Sequence, residues 1–199
     1  MRQNVVSMGY DKIAASYASD RETFGSQKYL TKLMQRLPDG AVVLDVGCGD
    51  GVPVDRELLK KGYQVRGIDI SQEQIRRARK NCPGGEYSVR EMQDLAFGEY
   101  QVQAVVSFYA IFHTPRNKHL EILSKLASYL PGGGWLLITM GDTEYEGTTL
   151  FHGVPMWWSQ FGAKQNSKLV TQAGFEIVID EIDRSGGERH QVILARKKC

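Results

Sequence analysis

The run VLDVGCGDG, Val43 to Gly51, constrains the fold more than any other stretch of this chain. A short β-branched segment reads as a buried strand, and it breaks into glycines at positions 47, 49 and 51. Glycine tolerates left-handed backbone and lets a ligand press against bare main chain. The residues that follow, VPVDRELLKKG, read as a helix with Pro53 in its first turn and Gly62 as its stop. The chain therefore opens its core with a strand–turn–helix unit.

The alternation continues. YQVRGIDI (63–70) reads as a second strand. Ser71 and Gln74 form a capping-box pattern, and Ile75 and Ala78 share the inner face of the helix they open. GEYSVR (85–90), VQAVVSF (102–108) and WLLITM (135–140) read as three further strands. Thr114-Pro115 opens a helix expected to face inward with Leu120, Leu123, Leu126 and Leu130, ending at Pro131-Gly132-Gly133-Gly134. NSKLVTQAG (166–174) is another helix. FEIVIDEI and ERHQVILAR flank Gly186-Gly187 as a closing hairpin. Upstream, Tyr29, Leu30, Leu33, Met34 and Leu37 lie on one helical face that Pro38-Asp39-Gly40 ends. Strands alternating with helices predict an α/β fold with a doubly wound, mostly parallel sheet and helices on both faces. Ligands of such sheets sit at the carboxyl ends of the strands, where strand order reverses, and the glycine run lies at the first such end.

With 199 residues, 42% of them hydrophobic and 24% charged, the chain suits one domain with a core of its own, 1–199. A net charge of +2 gives no reason, on bulk charge, to expect nucleic acid or a membrane as partner. Three cysteines, Cys48, Cys82 and Cys199, are too few and too widely spaced for a disulfide framework or a zinc cluster. The opening MRQNVVSMGY lacks a sustained apolar stretch, and no uncharged apolar run approaches the ~18 residues that span a bilayer. A cytoplasmic protein is expected. Arg76, Arg77, Arg79 and Lys80 read as a solvated helix face.

The glycine spacing narrows the ligand. Dinucleotide folds use G-x-G-x-x-G. Here the spacing is G-x-G-x-G, with Val52 where the third dinucleotide glycine would stand, and with Asp45 two residues before the first glycine. A pyrophosphate disfavours a carboxylate so near; a compact ligand with a cationic amino group does not.

Asp45-Val46-Gly47-Cys48-Gly49-Asp50-Gly51 resembles the first motif of the class I S-adenosylmethionine-dependent methyltransferases, and the resemblance extends over most of the chain. It implies a Rossmann-like seven-stranded sheet, mostly parallel, with an antiparallel strand from the C-terminal hairpin. It implies S-adenosylmethionine as cofactor and S-adenosylhomocysteine as product. Asp69 takes the place of the acid that accepts from both ribose hydroxyls, and Ile70 that of the residue packed on the adenine. Glu91 and Met92 take the places of the pair that reads the adenine edge, with Asp94 as a neighbouring alternative to Glu91. Gly47, Cys48, Gly49, Gly51 and Ser107 complete the implied cofactor set with Asp45. LPGGGWLLIT resembles the family's turn into the fifth strand. YDKIAASYA resembles a lid helix within residues 1–37, with Tyr10 toward the substrate and Tyr17 toward the cofactor.

The family's reaction is an in-line displacement on the methyl carbon. His113, just past the fourth strand, is the candidate base or substrate contact, with an ordinary pKa near working pH; a backbone hydrogen bond at a helix start is the alternative. Residues 141–163 form a long connection expected to cover the acceptor, with Tyr145, His152, Trp157 and Trp158 as candidate contacts. Their rings suit an apolar or cationic group, and Asp142, Glu144 and Glu146 could orient it. A small-molecule acceptor is expected, taking methyl on O, N or S. Ser107-Phe108-Tyr109-Ala110 lacks the Asn/Asp-Pro-Pro-aromatic motif of enzymes that methylate base amines. Two other readings stay open: a nicotinamide-dependent oxidoreductase, and a module that binds the cofactor or its product without catalysis.

Overall fold

The computed structural model describes the backbone of residues 2–21 and 25–199, and their side chains apart from 2–4, 15, 17–21, 26 and 186. In chain order the elements are α1 (Arg2–Arg21), α2 (Ser26–Met34), β1 (Val42–Val46), α3 (Val54–Lys60), β2 (Gln64–Asp69), α4 (Gln72–Asn81), β3 (Glu86–Val89) and β4 (Ala104–Ser107). Then come α5 (His119–Ser128), β5 (Trp135–Gly141), β6 (Tyr145–Phe151), β7 (Val154–Gln160), α6 (Ala163–Gln172), β8 (Phe175–Asp183) and β9 (His190–Lys197).

Seven strands form one sheet in the order β3-β2-β1-β4-β5-β9-β8. β1 pairs in parallel with both β2 and β4, and β9 runs antiparallel between β5 and β8. This is the Rossmann-like α/β architecture expected from the alternation. Side chains of a strand alternate between faces. Leu44 and Val46 accordingly join a core with Leu123, Leu126, Val170 and Phe175 on the α5/α6 side. Val43 joins Tyr29, Leu30, Leu33 and Leu58 on the α2/α3 side. Strand order reverses between β1 and β4, so their carboxyl ends leave a crevice there.

Two expectations are corrected. The 141–163 connection is a β-hairpin: β6 and β7 pair antiparallel from Tyr145↔Gln160 to Phe151↔Val154 as a separate two-stranded sheet. Its strands meet at His152-Gly153, a two-residue turn with φ of 48° and 78° that the loop reading overlooked. The inner face of α5 also differs. A 3-10 turn, Arg116–Lys118, delays the helix to His119. The buried side chains are then Ile122, Leu123 and Leu126, while Leu120 is 37% exposed.

α1 crosses the top of the crevice and packs on the hairpin. Val6 and Ile13 bury against Met156 and Trp157, flanked by Tyr10, Ile70 and Trp158. Gly9 permits the approach, since a Cβ there would lie 2.8 Å from Met156 Cε. Among the described residues, no helix is long and apolar enough to cross a membrane.

Candidate functional site

The turn after β1 is held by main-chain bonds to β2. Gly47 and Cys48 donate N–H to the Ile68 carbonyl at 2.8 and 3.0 Å. Gly47, with φ of 80°, and Gly49, with φ of 58°, are left-handed, a conformation that side chains disfavour. A Cβ on Gly47 would come within 2.3 Å of Ala110 Cβ. Gly49 N–H donates to Asp69 Oδ2 at 2.9 Å, and Ser71 N–H donates to Asp69 Oδ1 at 2.9 Å. Asp69 thus ties the first loop to the second and lines the cleft beside them.

Of the candidate cofactor residues, Gly47, Gly49, Asp69, Ile70, Glu91 and Met92 line this cleft. Glu91 caps the 3-10 turn Met92–Asp94 by accepting from Gln93 N–H. Burial pushes its carboxyl pKa up. Asp94 is exposed, so Glu91 is the acid that the cleft receives.

Four candidates stand behind the wall instead of on it. Asp45, 1% exposed, lies mid-sheet between Gly67 of β2 and Val106 of β4. Cys48 turns back into a small core with Ile75, Ala78, Cys82 and Tyr87. Gly51 faces the same way, since a Cβ there would lie 3.0 Å from Cys82 Sγ. Ser107 donates to the Val46 carbonyl at 2.8 Å and stitches β4 to β1. These residues shape the loop without facing the cleft. The side chain of Tyr17 lies outside the described residues.

His113 and Tyr10 meet at the cleft's far side. His113 Nδ1 lies 2.9 Å from the Trp157 carbonyl, which can only accept, so Nδ1 carries the proton. Nε2 therefore accepts from the Tyr10 hydroxyl, at 2.7 Å. The imidazole lies 4.5 Å from the Trp158 ring and 5.1 Å from Phe112, centre to centre. Desolvation among these rings pushes its pKa down to about 4, against the weaker upward pull of the Trp157 carbonyl. The expectation of a near-neutral base is corrected: His113 is neutral, with both nitrogens engaged in joining α1, β7 and the β4 exit.

The other acceptor candidates divide. Trp157 is 6% exposed in the α1–hairpin core. Trp158 stands over Phe112, 5.4 Å between ring centres. Tyr145, 41% exposed, and His152, at the hairpin tip with φ of 48°, are apart from the cleft. Glu144 and Glu146 pair with Arg116 at 2.7 and 3.6 Å, and Asp142 with Arg189 at 2.9 Å. Arg76 and Arg77 pair with Glu73 at 2.6 and 3.0 Å.

The sequence reading missed Arg90, Gln74, Phe108 and Tyr109, which also line the cleft. Tyr109 carried one available signal. It follows the last residue of a buried strand by two positions, where a side chain must leave the sheet. Its φ is 57°, and its N–H donates to Thr139 Oγ1 at 2.5 Å.

Residues 43–134 match the family model described as a methyltransferase domain. The chain is 30% identical over 158 residues to the tRNA (carboxymethyluridine(34)-5-O)-methyltransferase of Arabidopsis thaliana, covering 78% of this chain and 36% of that protein. It is 35% identical over 112 residues to a ubiquinone biosynthesis O-methyltransferase of Xanthomonas axonopodis pv. citri (strain 306), covering 53% of this chain and 46% of that one. The chain thus spans about a third to a half of the length of these curated relatives. Among solved structures, magnesium protoporphyrin IX methyltransferase of Synechocystis PCC 6803, solved with bound SAH, superposes with a TM-score of 0.74 at 17% identity, covering 99% of this chain and 98% of that one. The matched stretch holds the glycine turn, Asp69 and the crevice, and the sheet order is that of the superposed fold; together they support a class I S-adenosylmethionine-dependent methyltransferase.

Proposed function

We propose that the chain binds S-adenosylmethionine in the β1/β4 crevice and transfers its methyl group to a small-molecule acceptor held beneath α1 and the hairpin. The observation that carries this reading is the placement of Asp69. Its carboxylate is fixed by one loop N–H on each oxygen, and each carboxylate oxygen can accept a further bond, which suits a vicinal diol. Ile70 and Met92 supply apolar surface to the same cleft, and Glu91 supplies an acceptor beyond them. Diol, flat ring and ring-edge donor are the parts of an adenosine, so the donor set fits the group. S-adenosylmethionine, when bound, supplies an electrophilic methyl carbon on a sulfonium.

What this chain adds is alignment and exclusion of water. Alignment alone is worth ~7–11 kcal/mol by effective-molarity arguments. His113 acts through Tyr10: accepting the phenol proton, it holds the Tyr10 oxygen at the cleft wall, where that oxygen can accept from a proton-bearing nucleophile. The α1–hairpin core closes the roof.

The test is transfer of labelled methyl from S-adenosylmethionine into a size-fractionated cell extract. Label is expected in the low-molecular-weight fraction. Label confined to RNA or protein would overturn the small-molecule acceptor.

A further inference from the structure

Ser71 and Gln74 carry the capping-box pattern of α4. In such a box the bonds are reciprocal: the N-cap side chain accepts from the N–H of the third helical residue, whose own side chain reaches back to the N-cap N–H. Half of this box is present, since Ser71 Oγ accepts from Gln74 N–H at 3.1 Å. The other half is not. Ser71 N–H donates to Asp69 Oδ1 at 2.9 Å instead, which takes away the partner that the carboxamide of Gln74 would have. Among the described residues this carboxamide makes no hydrogen bond. Gln74 is nevertheless only 2% exposed, and it lines the cofactor cleft. A polar group left idle in such a place costs ~1–3 kcal/mol. Methionine or leucine would fill the same position on α4 without that cost, so the amide calls for a ligand.

Placement narrows the ligand group. Side chains of a helix tilt toward its N-terminus, which here is the Asp69–Ser71 corner at the end of β2. α1 roofs that corner: Asp11 Oδ1 accepts from Ser71 Oγ at 2.5 Å and from Glu73 N–H at 3.2 Å. Gln74 and Asp69 thus line one end of the same cleft. Their chemistry is complementary. A carboxylate accepts and cannot donate. A vicinal diol held by Asp69 gives its hydroxyl protons to the carboxylate, and its oxygens keep lone pairs that Asp69 cannot serve. A primary carboxamide supplies two N–H donors.

Resting on the cofactor reading above, we infer that Gln74 is a further specificity-determining residue of this site: its Nε2 donates to an oxygen of the ribose diol whose hydroxyl protons Asp69 accepts. Asp69 and Gln74 then read the diol as donor and as acceptor at once, and a sugar without those hydroxyls leaves both side chains unmet. The ligand-free chain carries the cost of the idle amide, and the bound diol removes it.

The test is calorimetric titration of the purified full chain with S-adenosylhomocysteine and with its 2′,3′-dideoxy analogue. Wild type, Gln74→Met and Gln74→Glu are compared, and each ligand-free chain is unfolded in urea alongside. Gln74→Met keeps the length and loses the amide. It should weaken S-adenosylhomocysteine about three- to tenfold and leave affinity for the dideoxy analogue unchanged. Gln74→Glu keeps the shape and the acceptors but loses the donors, and should weaken S-adenosylhomocysteine at least as much. The urea midpoint of Gln74→Met should not fall, whereas loss of a structural capping bond would lower it. Unchanged affinity in Gln74→Met, an equal loss on both ligands, wild-type affinity in Gln74→Glu, or a lowered midpoint in Gln74→Met would each overturn the inference while leaving the cofactor reading in place. Failure of the wild-type chain to bind S-adenosylhomocysteine would overturn the cofactor reading and this inference with it.

Discussion

Asp69 shows how much one side chain is asked to do. It closes the glycine loop through Gly49, starts α4 through Ser71, and faces the cleft. Asp69→Ala should weaken S-adenosylhomocysteine binding at least tenfold by calorimetry, because charge-assisted hydrogen bonds are the stronger ones; unchanged affinity would remove Asp69 from the ligand. Tyr10→Phe should destabilise the chain by ~1–3 kcal/mol in urea unfolding, since it leaves His113 Nε2 without its phenol partner. No change in the midpoint would mean that the Tyr10–His113 bond is absent in solution. Part of this site was legible residue by residue. Asp69, Ile70, Glu91 and Met92 follow strand ends, where chain geometry leaves little choice of direction. Asp45, Cys48, Gly51 and Ser107 were not legible, because motif spacing says that a residue is near a ligand and not which way it points. The proton affinity of His113 was also hidden: it depends on rings supplied by the hairpin, some 40 residues downstream.

At the level of elements, α1 is held at both rims of the cleft. Asp11 Oδ1 accepts from Ser71 Oγ at 2.5 Å and from Glu73 N–H at 3.2 Å, placing a carboxylate at the N-terminus of α4. Tyr10 holds the other rim. Asp11→Ala should speed hydrogen exchange across α1 several-fold while moving the global melting temperature little, because the Val6–Ile13–Met156–Trp157 contacts remain. Unchanged exchange would show that the tether carries no weight. Acid should also act through buried histidines. Desolvation holds His113 and His119 at about 4, against an ordinary 6.5. Between those values only the unfolded chain binds these protons. Stability is therefore complete above pH 6.5 and falls as pH drops toward 4, by up to ~1.4 kcal/mol per pH unit for each histidine. Glu73 and Glu121, lowered to about 2 by their basic partners, add their loss only below the ordinary 4.5. Urea midpoints measured from pH 7 to 4.5 should fall, and less steeply in His119→Gln; a flat profile would contradict the burial. Periodicity made most elements readable but failed at α5, where the 3-10 turn that rotates its inner face has no signature in a hydrophobic pattern.

For the whole molecule, topology does the positioning. Parallel pairing of β1 with both β2 and β4 opens a crevice at their carboxyl ends, and the glycine turn falls there because it follows β1. That much could be read from the alternation of strands and helices. The hairpin roof could not: it pairs only with itself, outside the main sheet. The central claim is that this crevice holds an adenosyl sulfonium. Calorimetric titration of the purified chain with S-adenosylmethionine, and with S-adenosylhomocysteine beside it, tests it most directly. Both should bind at one site with micromolar affinity; no heat from either ligand, in a folded sample cleared of co-purified ligand, would contradict it.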